Sequence, residues 1–267
     1  MTTLDQILAA TRERVERSKA QLQMHSLEKA AAAHTPRGFR KRLVAMSQLG
    51  PAVIAELKKA SPSKGTIRGT FPVAMLANQL ARGGASALSV LTDEEFFQGS
   101  LANLLEASAA TNLPCLRKDF IIDEFQITEA RAHRADAILL ILSALDDATF
   151  RRLLDYARVL DLDALCEVHD DEELKRAIEG GADIIGVNSR DLETLVIDPA
   201  VTSHLIPMIP ADRLAIAESG VRIRFDVERA AVAGADAVLV GSAVSASSDP
   251  TAAVAALTGV ARMLRGG

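Results

Sequence analysis

"GGADIIGV", Gly180 to Val187, decides the fold. Two glycines suit the left-handed position that ends a helix, and the unbroken apolar run after them suits a parallel strand covered on both faces. The same pattern recurs as "GGASALSV" (Gly83 to Val90), "RADAILLI" (Arg134 to Ile141) and "GADAVLV" (Gly234 to Val240). Arg134 stands where the others carry Gly, so that turn is expected to be built differently. Further apolar runs near 52–57, 114–118, 163–167 and 213–217 bring the strand candidates to eight. Between them lie segments of helical period such as "DDATFRRLLDYARVL" and "DDEELKRAIEGG". Eight strand-helix units point to an α/β fold, a closed (β/α)8 TIM barrel. A doubly wound open sheet is the structural competitor, because its local patterns are alike.

The 267 residues fit one such domain, spanning 1–267, with residues 1–50 as an N-terminal helical extension. That extension includes an amphipathic helix from Leu4 to Leu22. After the first strand, "SPSKGTIRGTF" reads as a long loop, the kind of element with which barrels hold substrates.

A chain 49% hydrophobic and 24% charged can bury a substantial core. Its net charge of -5, with dispersed basic residues, argues against a nucleic-acid partner. The N-terminus lacks a secretory pattern and no apolar run approaches the ~20 residues of a membrane span, so a cytoplasmic protein without membrane contact is expected. Cys115 and Cys166 are read as core residues and not as a disulfide or metal clamp.

The first strand runs into "VIAELKKASPSKG" (Val53 to Gly65), which sets Glu56 and Lys58 among apolar residues. A buried charge needs a partner. In a barrel all strand C-terminal ends meet on one face, so Glu56 and Lys58 would join Lys118, Glu167, Asn188, Arg190, Glu218, Ser219, Gly241 and Ser242. Such a set suits acid-base work on an anion. A lysine can donate a proton, and a partly desolvated carboxylate can have its pKa raised and act as a base. The alternative is an ion-pair network that only plugs the barrel. "ESGVR" (Glu218 to Arg222) and "VGSAV" (Val240 to Val244) follow the last two strands, where barrels cradle phosphate. His169, just beyond Glu167, is read as a loop residue before a helix in preference to a proton shuttle. His25, His34, His133 and His204 are read as surface residues without ligand spacing, and "DDEEL" as an acidic helical turn facing solvent. Nothing calls for a metal.

Together, "IAELKKASPSKG" with Arg68, "ALSVLTDEEFFQGS", "LRKDFIID", "CEVHD", "GVNSRDLET" and "AESGV" closely resemble the indole-3-glycerol-phosphate synthase family over nearly the whole chain. The resemblance implies a cofactor-free barrel in tryptophan biosynthesis. Its reaction turns 1-(2-carboxyphenylamino)-1-deoxyribulose 5-phosphate into indole-3-glycerol phosphate, carbon dioxide and water. It also implies roles. Lys118 would be the acid of ring closure and Glu167 the base of dehydration, while Lys58 would engage the substrate carboxylate and serve as a candidate acid in dehydration. Glu56, Asn188 and Glu218 would position these groups. Ser61, Ser219, Gly220, Gly241 and Ser242 match phosphate-binding positions, Phe120 the wall beside the anthranilate ring, and Arg190 helps hold the site. "GSAVSASSDP" departs from the pattern, with Ser and Val where relatives carry an acidic residue or "LM".

The partner expected is a phosphorylated small molecule, and the chain is expected to be a monomer or weak homo-oligomer. One rival is the sister barrel phosphoribosylanthranilate isomerase, which commonly uses a cysteine near its first strand; this first strand has none. The other is a non-catalytic phosphometabolite-binding barrel that keeps the cradle alone.

Overall fold

The apolar runs become strands whose side chains alternate between two cores. The computed structural model describes residues 3–62 and 64–263. Its strands are β1 (Ala52–Leu57), a hairpin of β2 (Ala60–Ser61) and β3 (Gly65–Thr66), then β4 (Ala87–Leu91), β5 (Cys115–Lys118), β6 (Ala137–Ile141), β7 (Asp163–Val168), β8 (Ile184–Asn188), β9 (Leu214–Glu218) and β10 (Ala237–Val240). Apart from the hairpin, eight strands pair in parallel in chain order, and β10 closes onto β1 with Ala52 beside Ala237 and Ala55 beside Val240. This is the (β/α)8 barrel, and closure rules out the open sheet. The hairpin corrects the expectation of a plain loop over "SPSKGTIRGTF": Ala60 pairs with Thr66 and Ser61 with Gly65.

Helices α4 (Val73–Arg82), α5 (Leu101–Ala110), α6 (Glu124–Ala132), α7 (Asp147–Val159), α8 (Asp171–Glu179), α9 (Pro199–Leu205) and α10 (Arg224–Val232) connect the strands, and short α11 (Ser242–Ser245) and α12 (Pro250–Ala255) follow the last. Asp123, Asp146 and Asp170 accept backbone N–H bonds at the starts of α6, α7 and α8, as helix-capping carboxylates do. At the other ends, Gly84, Gly181 and Gly234 take φ of 98°, 84° and 91°, and Arg134 takes 66°. Ala85, Ala135, Ala182 and Ala235 each donate back to the carbonyl five residues earlier. The Arg134 turn is therefore built like the others, against expectation. A long side chain is tolerated in the left-handed region because the closing hydrogen bonds are backbone ones.

One set of strand residues, including Val53, Ala55, Leu88, Val90, Ile138 and Leu140, packs outward into the helix layer. The alternate set, including Ile54, Leu116, Leu139, Leu165, Ile216 and Leu239, fills the barrel. Cys115 and Cys166 are buried in the outer layer, where burial pushes both thiols up to about 12.

Before the barrel come α1 (Thr3–Gln21), α2 (Met24–Ala32) and α3 (Phe39–Met46). Phe39 and Leu43 of α3 join the interior cluster where the strands begin, while Ile7 and Leu8 of α1 join it with Phe120 at the opposite end. Arg14 of α1 binds Asp119 at 2.8 Å and Asp93 at 3.5 Å. Asp119 also accepts from buried Arg117 and Thr92, and from the backbone of Phe120. His34, expected at the surface, is buried with Nε2 3.3 Å from Asp136, a partner 102 residues away.

Candidate active site

Continuing each interior row by two residues reaches the mouth. Above Ile54 comes Glu56, above Leu116 Lys118, above Leu165 Glu167 and above Ile216 Glu218. Register places Glu218 beside Asn188, and Glu167 beside Gly186. These side chains line a cavity of about 850 Å³ together with Lys58, Phe120, Arg190, Ser219, Gly220, Gly241 and Ser242. Its size falls in the range of small-ligand sites. Ser61 lies instead on a smaller adjoining recess that shares Lys58, Phe120, Arg190 and Ser242 with the main cavity.

Lys118 Nζ sits 2.6 Å from Glu167 Oε2 and 3.1 Å from Glu218 Oε2. Glu167 Oε1 accepts from Asn188 Nδ2 at 3.1 Å. Across the mouth, Lys58 Nζ lies 2.5 Å from Glu56 Oε1, and Ser89 donates to Glu56 Oε2 at 3.4 Å. The buried carboxylate of the first strand is thus paired. Ser245 holds the strand end beneath it, donating to the Glu56 carbonyl at 2.6 Å and accepting from the Lys58 N–H at 3.2 Å. Arg68 ties the loop after β1 to the carbonyls of Ser245 and Ser247.

Burial alone would lower the Lys118 pKa, but Glu167, Glu218 and Glu56 outweigh it and hold the ammonium charged well above its ordinary range. Burial would raise Glu167, yet Lys118 and His169 carry it well below the usual carboxylate range. Burial and the neighbouring Glu167 charge push Glu218 up to about 8 against the pull of Lys118, and its Oε1 has no hydrogen-bond partner among the described residues. The elevated pKa expected of a base carboxylate therefore falls on Glu218 and not on Glu167, because Lys118 approaches Glu167 more closely.

Backbone shapes the rest. Ser219 and Gly220 both have positive φ, 64° and 74°, which opens the turn after β9 toward the cavity. A Cβ on Gly241 would overlap Glu56 Oε1 and stand 2.9 Å from Lys58 Nζ; one on Gly186 would overlap Glu218 Oε1. At both positions a larger residue would displace the charged side chains that occupy that space.

Several contributors were missed in the sequence. Leu192, Leu195 and Ile197, from the loop after β8, form an apolar rim whose run has no strand or helix period. Arg190 donates its guanidinium to the Leu195 carbonyl at 2.8 Å and its backbone N–H to Asn188 Oδ1 at 3.0 Å, so it supports this rim. Arg222 also lines the cavity, close enough to Arg190 to help burial lower that guanidinium's pKa. The signal for it in the sequence is the arginine that ends "ESGVR". His169 lies in the loop before α8 as expected, while Glu173 corrects the reading of its turn as facing solvent. Both are shielded from solvent, and His169 Nε2 lies 3.5 Å from Glu167 Oε1 while Nδ1 lies 3.0 Å from Glu173 Oε2.

A family model described as indole-3-glycerol phosphate synthase matches residues 4–257. A protein of Koribacter versatilis (strain Ellin345) bearing that name is 50% identical over 258 residues, covering 97% of this chain and 99% of its own length. One of Burkholderia vietnamiensis (strain G4 / LMG 22486), named likewise, is 46% identical over 94% of this chain and 97% of its own. Among solved structures, 3-hexulose-6-phosphate synthase from Salmonella typhimurium superposes with a TM-score of 0.64 at 15% identity, over 78% of this chain and 97% of its own. Thiamine phosphate pyrophosphorylase from Pyrococcus furiosus gives 0.60 at 18% identity, over 81% and 96%. At those identities the two structures share the fold alone.

Proposed function

The chain belongs to the indole-3-glycerol phosphate synthase family, and from that premise we propose how its cavity divides the work of the reaction. The enzyme is a carboxy-lyase of tryptophan biosynthesis that closes the indole ring of 1-(2-carboxyphenylamino)-1-deoxyribulose 5-phosphate. The observation that carries the assignment of roles is Lys118 held between Glu167 and Glu218 at the closed end of the cavity.

In ring closure the aromatic carbon bearing the carboxylate attacks the ketone carbon, and the ketone oxygen must gain a proton. Lys118 supplies it. Carbon dioxide then leaves and its bonding pair restores the aromatic ring, so the protein has only to hold the carboxylate out of the ring plane. Lys58 binds that carboxylate, with Phe120 beside the ring. In dehydration the former ketone oxygen leaves as water with a proton from Lys58. Glu167 takes the proton from the neighbouring carbon of the new ring.

A carboxylate with a strongly lowered pKa is a weak base, and the order of steps answers this. Once Lys118 has given its proton away, the main cation that depresses Glu167 is gone, His169 remains, and Glu167 becomes more basic for the step that needs it. Asn188, Glu56 and Glu218 position these groups. Ser219, Gly220, Gly241 and Ser242 hold the phosphate, with Ser61 contributing from the adjoining recess and Arg190 supporting the rim. We also read the chain as one domain, since α1 and α3 share an apolar cluster with the barrel interior. We place it in the cytoplasm as a monomer or weak homo-oligomer; no helix among the described residues is long and apolar enough to cross a membrane.

The test is indole fluorescence during incubation with the carboxyphenylamino-deoxyribulose phosphate. With no Trp and one Tyr, the protein is nearly dark at those wavelengths. The signal is expected to rise with wild type and to vanish with Lys118→Ala. A flat trace with folded wild type would remove the assignment and send the protein to the isomerase substrate.

A further inference from the structure

His169 has a task of its own. It stands two residues after Glu167 and four before Glu173, at the junction of β7 and α8. Both ring nitrogens face carboxylates: Nδ1 lies 3.0 Å from Glu173 Oε2, and Nε2, which makes no hydrogen bond among the described residues, lies at ion-pair distance, 3.5 Å, from Glu167 Oε1. Glu173 Oε2 also accepts the His169 backbone N–H at 2.8 Å, and the Glu173 N–H is capped by Asp170, so the helix start fixes the bracket. A neutral imidazole carries one proton and one lone pair. Either tautomer would point that lone pair at a carboxylate oxygen. The arrangement is satisfied only when both nitrogens carry protons.

We propose that His169, as an imidazolium bridging Glu167 and Glu173, is a positioning residue for the synthase reaction. With Asn188 it occupies the Oε1 edge of Glu167, so that Oε2 alone is presented to Lys118 and the substrate. It also supplies a positive charge that stays beside Glu167 after Lys118 has released its proton, and so keeps the base ionised between steps. The proposal rests on the assignment of Glu167 as base. The charged groups around the ring are Glu167 on its own strand, Glu173 on α8 and Asp191 in the loop after β8, with Lys118 beyond Glu167. Burial works against the imidazolium, but Glu167 and Glu173 prevail and raise its pKa to about 10.

The experiment has two arms on the full-length protein. Imidazole NMR of His169, assigned by its loss in His169→Asn, is followed against pH in wild type and in Glu173→Gln. The wild-type ring is expected to remain doubly protonated beyond pH 8, and the Glu173→Gln ring to titrate at least one unit lower. In parallel, kcat is measured against pH. His169→Asn is expected to lose about tenfold in kcat, the equivalent of about one pKa unit of charge stabilisation lost at Glu167. The acid limb of its profile moves upward, since Glu167 has lost a cation, and KM changes little. A His169 resonance titrating near 6.5 overturns the proposal, as does a kcat loss with no movement of either limb. Should His169→Asn fail to fold, His169→Gln supplies the assignment and Glu173→Gln carries both readouts. Absence of turnover in wild type would remove the synthase assignment, while the imidazole titration still decides whether the bridge exists.

Discussion

Lys118→Met replaces the ammonium with an unbranched apolar chain and leaves Glu167 and Glu218 facing one another, each with only 2% of its side chain exposed. Breaking a buried ion pair by removing one partner costs about 3–5 kcal/mol. Glu218, already raised by burial, takes up a proton and relieves part of this, so the lower end, about 3 kcal/mol, is expected. For a chain of this size each kcal/mol moves Tm by roughly 2–4 °C, giving a fall of roughly 6–12 °C at pH 8. The pH dependence carries the sharper test. In wild type the lowered Glu167 pKa contributes stability above the ordinary carboxylate value of 4.5, lost as pH falls below it. In the variant Glu167 has lost its main cation, its pKa rises, and the folded state binds more protons than the unfolded one. Stability relative to wild type then recovers as pH falls, and the Tm deficit at pH 5.5 is expected to be less than half that at pH 8. Differential scanning calorimetry at the two pH values measures this. Lys118→Met/Glu167→Gln is expected to regain most of the loss at pH 8 and remain inactive. A deficit independent of pH, or a double variant as unstable as the single one, would refute the reasoning.

Two further outcomes follow from the same geometry. Because the Glu218 pKa is raised to about 8, its contribution to stability is complete below 4.5 and lost as pH rises through 8. Glu218→Gln should therefore match or trail wild type in Tm at pH 5 and exceed it at pH 8.5, and the reverse ordering would contradict the assignment. Gly241→Ala forces a Cβ into the space of Glu56 Oε1 and Lys58 Nζ, an overpacking of about 1–3 kcal/mol. A KM raised about tenfold or more with a Tm lowered by roughly 2–12 °C is expected, and kinetic constants within twofold of wild type would show that the pair moves aside freely.

The barrel was legible because its signal is local and repeated: a turn, an apolar run, a polar residue at the strand end. The site was legible for the same reason, since Glu56, Lys118, Glu167 and Glu218 each sit two residues beyond an inward-facing apolar one. Features without local period were hidden. The hairpin of Ala60–Ser61 and Gly65–Thr66 is two residues a side, too short to alternate. His34 is buried by Asp136, whose distance in sequence leaves no trace. Arg134 looked like a break in the pattern because residue type was taken for backbone conformation. For His169, the spacing to Glu167 and Glu173 was in view, but the rotamers that turn spacing into a bridge were not. The direction of the Glu167 and Glu218 pKa shifts depended likewise on which carboxylate Lys118 approaches, a matter of tenths of an ångström.

The grip of Arg14 on Asp119 makes α1 party to a thermodynamic cycle. Asp119 follows Lys118 directly and bonds the backbone of Phe120, so the helix seats on a strand end that also faces the cavity. If seating α1 tightens a ligand's hold by some factor, the ligand tightens α1 by the same factor. Amide exchange along residues 3–21, outside the ring of charged strand ends, then becomes a gauge of occupancy that no chromophore in the cavity has to report.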